Sequence, residues 1–321
     1  MIGPVLVGLG VFLVVAAALV RFYAYPALAR VPAGYHSTTE LEATGAQIFN
    51  SDPDVLAPEV HDLDITSKTS EVTNADTPDG DTEWTNVTTV DKADGGNFQL
   101  STEQFAFDEV SGVGSDCCDS WVEQSDGTKI TRVPVVPEGQ IYKFPFNTEK
   151  KTYQVWDGEL GKATPATYEG EDTVEGLKVY KFVQVIDPTV VETREVPGSV
   201  FGSDEPSVEA DMLYSMTRTF YVEPITGSPV HRVEERDQEL VYDGQQVPAF
   251  VGNVHYTDAQ VKDLVDEIST KAMLLGGMRV LYPLIMLVLG LAMLGLGLVI
   301  NRRQAGSLEH DNKQERPLVT A

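Results

Sequence analysis

Cysteine is almost missing from this sequence: Cys117 and Cys118 are the only two in 321 residues, too few for a disulfide-built scaffold. Basic residues are scarce as well. Lys and Arg number 23 against 49 Asp and Glu, the formal net charge is −26, and no Lys/Arg run is longer than a pair. Such an acidic chain repels a polyanion, so no nucleic-acid partner is expected. The five histidines, His36, His61, His231, His255 and His310, are scattered, and none stands in HExxH spacing; CxxC and GxSxG are absent too. Internal repeats and low-complexity tracts are lacking. No catalytic residue, metal or cofactor is expected, and an enzyme is the least supported class.

Charge is missing altogether from two stretches. Residues 2–20, IGPVLVGLGVFLVVAAALV, and residues 280–300, VLYPLIMLVLGLAMLGLGLVI, hold no ionisable carboxylate or cation. A helix of about 20 apolar residues covers roughly 30 Å of hydrocarbon, so each reads as a transmembrane helix. Tyr23, Tyr25 and Tyr282 stand at their ends, where amphipathic rings suit the headgroup layer. A cleaved secretory signal is the competing reading of the first stretch. Against it, no basic residue precedes the apolar run, and the run exceeds the 7 to 15 or so residues of a signal core.

Arg302, Arg303, Lys313 and Arg316 follow the second run, and the positive-inside tendency places that tail, and with it both termini, in the cytoplasm. Residues 21–279, with 46 acidic and 19 basic side chains, then form an extracytoplasmic domain, and residues 301–321 a short disordered cytoplasmic tail.

The middle is rich in Val, Thr, Tyr, Phe and Trp between turn-forming clusters such as 74–81 (NADTPDGD) and 94–97 (DGGN), the pattern of short antiparallel strands. Strands are expected within 62–72, 83–92, 97–107, 178–185 and 217–223. The stretch TFYVEPITGSPVHRVEE reads as a hairpin, with Gly227 free to take a positive φ. One amphipathic helix is expected over about 258–275, capped by Thr257 or Asp258, with Gln260 at capping-box spacing and Val261, Leu264, Val265, Ile268 and Ala272 on one face. Gly276 and Gly277 read as a joint. Residues 190–214, with several Glu, Ser and Pro, read as a mobile loop. The fold class is therefore membrane-anchored α+β: a mainly antiparallel β domain flanked by amino- and carboxy-terminal transmembrane helices.

Candidate chemistry is sparse. Cys117 and Cys118, between Asp116 and Asp119, could form a structural disulfide or pair with another chain, remain free thiols, or hold a soft metal. Asp76, Asp79, Asp81 and Glu83 lack the spacing of a calcium-hand loop and read as an exposed turn. Asn86-Val87-Thr88 is a glycosylation sequon.

One stretch carries a resemblance. Residues 142–153 (YKFPFNTEKKTY), closing at Trp156-Asp157, resemble the YPF(D/N)TEKKTY signature of the actinobacterial PorA-like domain-of-unknown-function membrane protein family. Glu195-Val196-Pro197-Gly198 is similar to that family's VPG step, and residues 221–230 to its (W/Y)VDPxTGxxV hairpin, with Glu223 in place of the more usual Asp. The order helix, large domain, helix covers nearly the whole chain. The two-anchor layout is also similar to that of class B scavenger receptors, whose β-rich ectodomain encloses a lipid tunnel.

Three functions follow as expectations. The first is binding or transfer of a lipid or other hydrophobic ligand in a cavity lined by Phe105, Phe107, Phe144, Phe146, Tyr153 and Trp156, although most such aromatics serve as core. The second is a scaffold for other envelope proteins, with Gly290, Gly295 and Gly297 allowing close helix contact. The third is a porin-like pore subunit. Membrane lipids are expected partners in each.

Overall fold

With no charge to keep them in water, the two apolar runs are helical in the computed structural model, which describes residues 2–73, 76–125 and 129–314. Among the described residues, two helices are long and apolar enough to cross a membrane, Ile2–Leu28 and Asp258–Arg303. The chain divides into two compact units, residues 1–29 with 273–321 and residues 30–272.

In the first unit, α1 (Ile2–Leu19) passes through a π-helical turn, Val20–Ala24, into the short α2 (Tyr25–Leu28). A second π turn, Gly277–Leu281, leads into α4 (Tyr282–Gln314). Each π turn stands just before a Tyr-Pro pair, Tyr25-Pro26 and Tyr282-Pro283. A proline has no N–H and its ring crowds the carbonyl one turn back; the wider turn relieves that clash without ending the helix.

α1 and α4 pack glycine to glycine. Gly3, Gly10 and Ala17, seven residues apart, are the buried positions of α1. A Cβ on Gly10 would lie 2.7 Å from the Gly290 carbonyl oxygen, and one on Gly297 would lie 2.9 Å from that of Gly3. Lipid tails give two apolar helices no hydrophobic reason to associate, so this close backbone approach and its dispersion contacts are what hold the pair. Gly295, expected to share in the contact, faces open space.

The tail expected to be disordered from residue 301 continues α4 through Gln314, since no proline interrupts the chain before Pro317. Residues 315–321 lie outside the described residues, as do Asn74 and Ala75 of the first expected turn.

The second unit is a twelve-stranded antiparallel sheet. Its strands are β1 (His36–Asn50), β2 (Ala57–Glu71), β3 (Asp81–Lys92), β4 (Asn97–Asp108), β5 (Trp121–Ser125), β6 (Ile130–Pro134), β7 (Tyr153–Asp157), β8 (Lys162–Val174), β9 (Leu177–Val196), β10 (Val208–Val222), β11 (Pro229–Tyr242) and β12 (Gln245–Tyr256). The spatial order is β6-β5-β4-β3-β2-β1-β12-β11-β10-β9-β8-β7, two six-stranded meanders joined where β1 meets β12.

The sheet then closes through its loops. Phe107 bridges to Gly114, Val113 to Gln140, and Gln140 to Val155, so backbone hydrogen bonds run from β4 across residues 113–114 and 140 to β7. Ten strands and this seam make a ring with an inside and an outside. The outer face of β2 and β8 carries exposed Asp62, Asp64, Lys68, Glu169 and Glu171, which suits water rather than lipid tails.

The segment 190–214, expected as a mobile loop, is instead mostly strand. β9 runs on to Val196, a 3-10 turn covers Gly198–Phe201, and β10 starts at Val208, with Val196 opposite Val208. Val208, Ala210, Met212 and Tyr214 alternate inward, a period-two pattern that the intervening Glu209 and Asp211 conceal in a reading by composition.

α3 (Asp258–Gly276) buries Val261, Val265 and Ile268 against Leu41, Ile48, Leu63, Ile65 and Val254 of the sheet, and Ala272 of the same face is buried too. Full burial of a Val or Ile side chain contributes roughly 1.5–3 kcal/mol. Thr257 caps the helix, accepting from the Gln260 N–H at 3.2 Å. The capping box is not completed: the Gln260 side chain instead accepts from the Glu40 N–H of β1 at 2.9 Å, tying helix to sheet.

Candidate functional site

Inside the ring is a cavity of about 200 Å³. Its walls include Glu103 of β4, Tyr142 of the seam, Trp156 of β7, Arg218 of β10, Arg232 of β11 and Tyr256 of β12. The charged residues arrive there by strand parity. Along β10, Met216, Arg218, Phe220 and Val222 share the inward face, and along β11 Val230, Arg232 and Glu234 do; Arg218 stands opposite Glu234 and Phe220 opposite Arg232.

A buried ion-pair network lies behind this wall. Arg218 donates from Nε to Glu234 at 2.7 Å and from Nη1 to Gln184 at 2.9 Å, and pairs with Asp157 at 3.3 Å. Arg232 Nε lies 3.1 Å from the same Glu234 oxygen, and the Tyr214 hydroxyl donates to Asp157 at 3.1 Å. Burial by itself would raise the pKa of Glu234, but Arg218, Arg232 and Arg236 outweigh it and hold the carboxyl down at about 2.

Glu103 behaves in the opposite way. Burial pushes its carboxyl up to about 7 against the pull of Arg232, Tyr142 and Arg218. The Tyr142 hydroxyl stands near that carboxyl but outside hydrogen-bond geometry. Trp156 Nε1 and Arg232 Nε are likewise buried without a hydrogen bond. Lys143 also borders the cavity; its ammonium makes no hydrogen bond, sits 4.0 Å over the Phe146 ring, and is pulled down to a pKa of about 7 by burial, with Asp108 opposing.

The six aromatics expected to line one lipid cavity are divided. Phe105, Phe107 and Trp156 pack in one cluster with Trp84 and Ile141, whereas Phe144 and Tyr153 pack in another with Phe182 and Phe220. Phe144 stacks on Phe182 at 4.7 Å, and Trp156 meets Phe105 edge-on at 5.6 Å. Only Phe105, Phe144 and Trp156 of the six border the cavity. Phe146 is half-buried beneath Lys143, and the Tyr153 hydroxyl accepts from the Glu149 N–H at 2.8 Å.

Cys117 and Cys118 are free thiols. Cys117 donates to Asp81 at 3.7 Å, and the exposed Cys118 takes a positive φ of 60°. Among the described residues, no group of three His, Cys, Asp or Glu is placed to hold a metal ion. Asn86 of the sequon is buried, its amide donating to Ser67 at 2.7 Å and Thr69 at 2.8 Å, which leaves it unsuited to carry a glycan.

The residues the aromatic reading missed are Glu103, Arg218, Arg232 and Glu234. The signal was present: an Arg at the same parity as Phe220 and Val222, and a Glu at the parity of Val230, put charge on the apolar face of alternating strands.

The family signature is part of the wall. Residues 142–148 carry Tyr142, Lys143 and Phe144 to the cavity and bond back to the β10–β11 turn, with Phe144 N–H donating to the Gly227 carbonyl at 2.9 Å and Thr148 N–H to that of Pro224 at 2.7 Å.

A protein described as Porin PorA from Corynebacterium resistens is 27% identical, over 32% of this chain and 36% of the relative; one so described from Corynebacterium amycolatum is 28% identical, over 36% of each. The match thus spans about a third of the length of these relatives. The family model described as Porin PorA matches residues 2–299, and the chain belongs to that family.

Proposed function

We propose that the protein is a permeation subunit of the cell envelope, held in the membrane by its two apolar helices, with the β domain outside and both termini in the cytoplasm. The observation that carries this reading is the chemistry of the cavity wall. Two guanidiniums, a carboxyl and a buried ammonium border it, a lining that suits small hydrophilic solutes and costs an acyl chain its apolar surroundings. The Porin PorA description of the relatives points the same way. Lipid carriage has no such support, because the aromatics named for it are packed against one another as core.

Neither helix offers a polar stripe to line water, so an aqueous path through the bilayer requires further chains, either copies of this one or other envelope proteins, with membrane lipids around them. The basic residues after the second span support that orientation. No chemical step belongs to this reading.

The test is conductance of the purified full-length protein in planar bilayers. Discrete steps are expected, with an ion selectivity that changes in Arg232→Gln. Absence of steps at every protein concentration overturns the reading. Protease protection in intact cells tests the orientation, with the β domain cleaved from outside.

A further inference from the structure

Cys117 and Cys118 are the sole cysteines of the chain, and they are neighbours. In an extended backbone adjacent side chains point to opposite sides. Here Cys118 takes the left-handed conformation, φ 60°, which residues with a Cβ adopt sparingly, and the bend turns both sulfurs of the β4–β5 loop towards one neighbour. Cys117 donates to the Asp81 carboxylate at 3.7 Å and Cys118 to the Asp76 carbonyl at 3.8 Å, both at the entry to β3. The Ser115 hydroxyl holds the same Asp81 oxygen at 2.6 Å. Cys117 is half-buried and Cys118 exposed, so a reagent reaches the Cys118 sulfur first.

We propose that this pair is a site of reversible oxidation, at which a small disulfide joins Cys117 to Cys118 and frees the loop from residues 76–81. The site goes beyond the permeation reading and takes from it only the compartment, since disulfides form and persist outside the membrane. The Cys118 thiolate attacks the small disulfide, and one half of the reagent leaves as a thiol. Cys117 then gives up its proton and attacks the Cys118 sulfur of the mixed disulfide, and the other half leaves as a second thiol. Two thiol hydrogens and two electrons thus pass from the protein to the reagent.

The bond is reversible for a geometric reason. Adjacent Cα atoms lie about 3.8 Å apart, inside the roughly 4.4 Å lower limit usual for a disulfide, so the closed ring is strained and readily reduced. Once joined, neither sulfur carries a hydrogen. The bonds to Asp81 and Asp76 are lost, and that of Ser115 stays.

Charge around the pair sets the rate. Partial burial, the Cys117 thiol beside it, and the Glu83 and Asp81 carboxylates of β3 push the Cys118 thiol up to about 12, while Asp116 and Asp119 flank the pair in the loop. Because the thiolate is the attacking form, closure is slow at neutral pH and gains about tenfold per pH unit.

The experiment treats the full-length protein in mild detergent with oxidised glutathione at about pH 7, 8 and 9, blocks it with N-ethylmaleimide and weighs it by mass spectrometry. The expected product is a monomer lighter by two hydrogens that takes no maleimide, forms about tenfold faster per pH unit, and recovers both reactive thiols in dithiothreitol. Cys117→Ser should stop at the glutathione adduct. Phenylarsine oxide, which bridges paired thiols, should protect both from maleimide in the untreated wild type, a check that needs no variant. Amide exchange of residues 76–81 should quicken in the oxidised form. A disulfide-linked dimer, a lasting glutathione adduct on the wild type, or two maleimides after every treatment overturns the site, and unchanged exchange at 76–81 overturns the release of the loop. Ring closure in a protein without conductance upholds the site while removing the permeation reading.

Discussion

The backbone N–H of Phe144 donates to the carbonyl of Gly227 at 2.9 Å, joining the start of the 142–153 signature to the tip of the β10–β11 hairpin. Asn147 N–H donates to Ile225 and Thr148 N–H to Pro224 in the same run. Two motifs that lie far apart in the chain are thus one piece of structure. Gly227 makes the approach feasible: its φ is +73°, and a Cβ there would run into the carbonyl oxygens of Phe144 and Pro145. Gly227→Ala is expected to lower stability by at least about 2 kcal/mol, read as a drop in the denaturation midpoint followed by Trp fluorescence. A midpoint equal to that of the parent would mean the signature can leave the hairpin at no cost.

Lys143 is buried, and its pKa is brought from 10.5 down to about 7. Below about pH 7 both the folded and the unfolded chain hold the proton, and the whole cost of burying an ammonium is present. Between about 7 and 10.5 the unfolded chain alone holds it, so stability rises with pH until the cost is gone. Lys143→Met keeps the stem over Phe146 without the charge. It is expected to gain on the order of 2–4 kcal/mol at pH 6 and nothing at pH 10.5; equal gains at both would show that the ammonium is not the source of strain.

Glu234 is shared by Arg218 and Arg232, and Arg236 adds to the field that holds its carboxyl at about 2. Glu234→Gln removes the buried anion that Arg218 and Arg232 share, at an expected cost of about 3–5 kcal/mol near neutral pH. The wild-type contribution is whole above the usual carboxylate pKa and is lost as pH falls from about 4.5 towards 2. Thermal midpoints of the two proteins should therefore converge on acidification, and parallel curves would refute the assignment.

The helix pair gives a contrast within one helix. A side chain at Gly10 collides with the backbone of α4, whereas one at Gly8 meets nothing within 4 Å. Gly10→Leu should separate α1 from α4 and cost on the order of 1–3 kcal/mol, while Gly8→Leu should be neutral within about 0.5 kcal/mol, both followed by unfolding in detergent. Equal effects would place α4 elsewhere.

How much of this was legible varied with how local the cause is. The two apolar runs, the helix after Thr257 and the β10–β11 hairpin carry their signals in adjacent residues, and each forms where expected. The segment 190–214 does not: Glu192, Glu195 and Glu209 made it look like a loop, because one face of β9 and β10 is wet there and only the register with the partner strand reveals the other. The cavity was hidden for a related reason. Glu103 is remote in sequence from Arg218 and Arg232, which share the β10–β11 hairpin, and it borders the same cavity only because the seam at Gln140 closes the ring, which no propensity announces. Aromatic residues advertise themselves in a sequence, and here they mostly filled the core.

That ring has a last step. Leu41 of β1 pairs with Tyr256 of β12, and Ile48 with Phe250, contacts separated by on the order of 200 residues of chain. As the polypeptide emerges from the ribosome, β1 pairs with β2 at once, but its other edge stays open until the final strand is made. A messenger cut before the codon for Gln245 would still encode eleven strands, and both β1 and β11 would be left as bare edges offering their N–H and C=O groups to a neighbouring chain. The aggregation hazard of this fold is therefore set at its carboxy-terminal end, by twelve residues that touch little of the cavity.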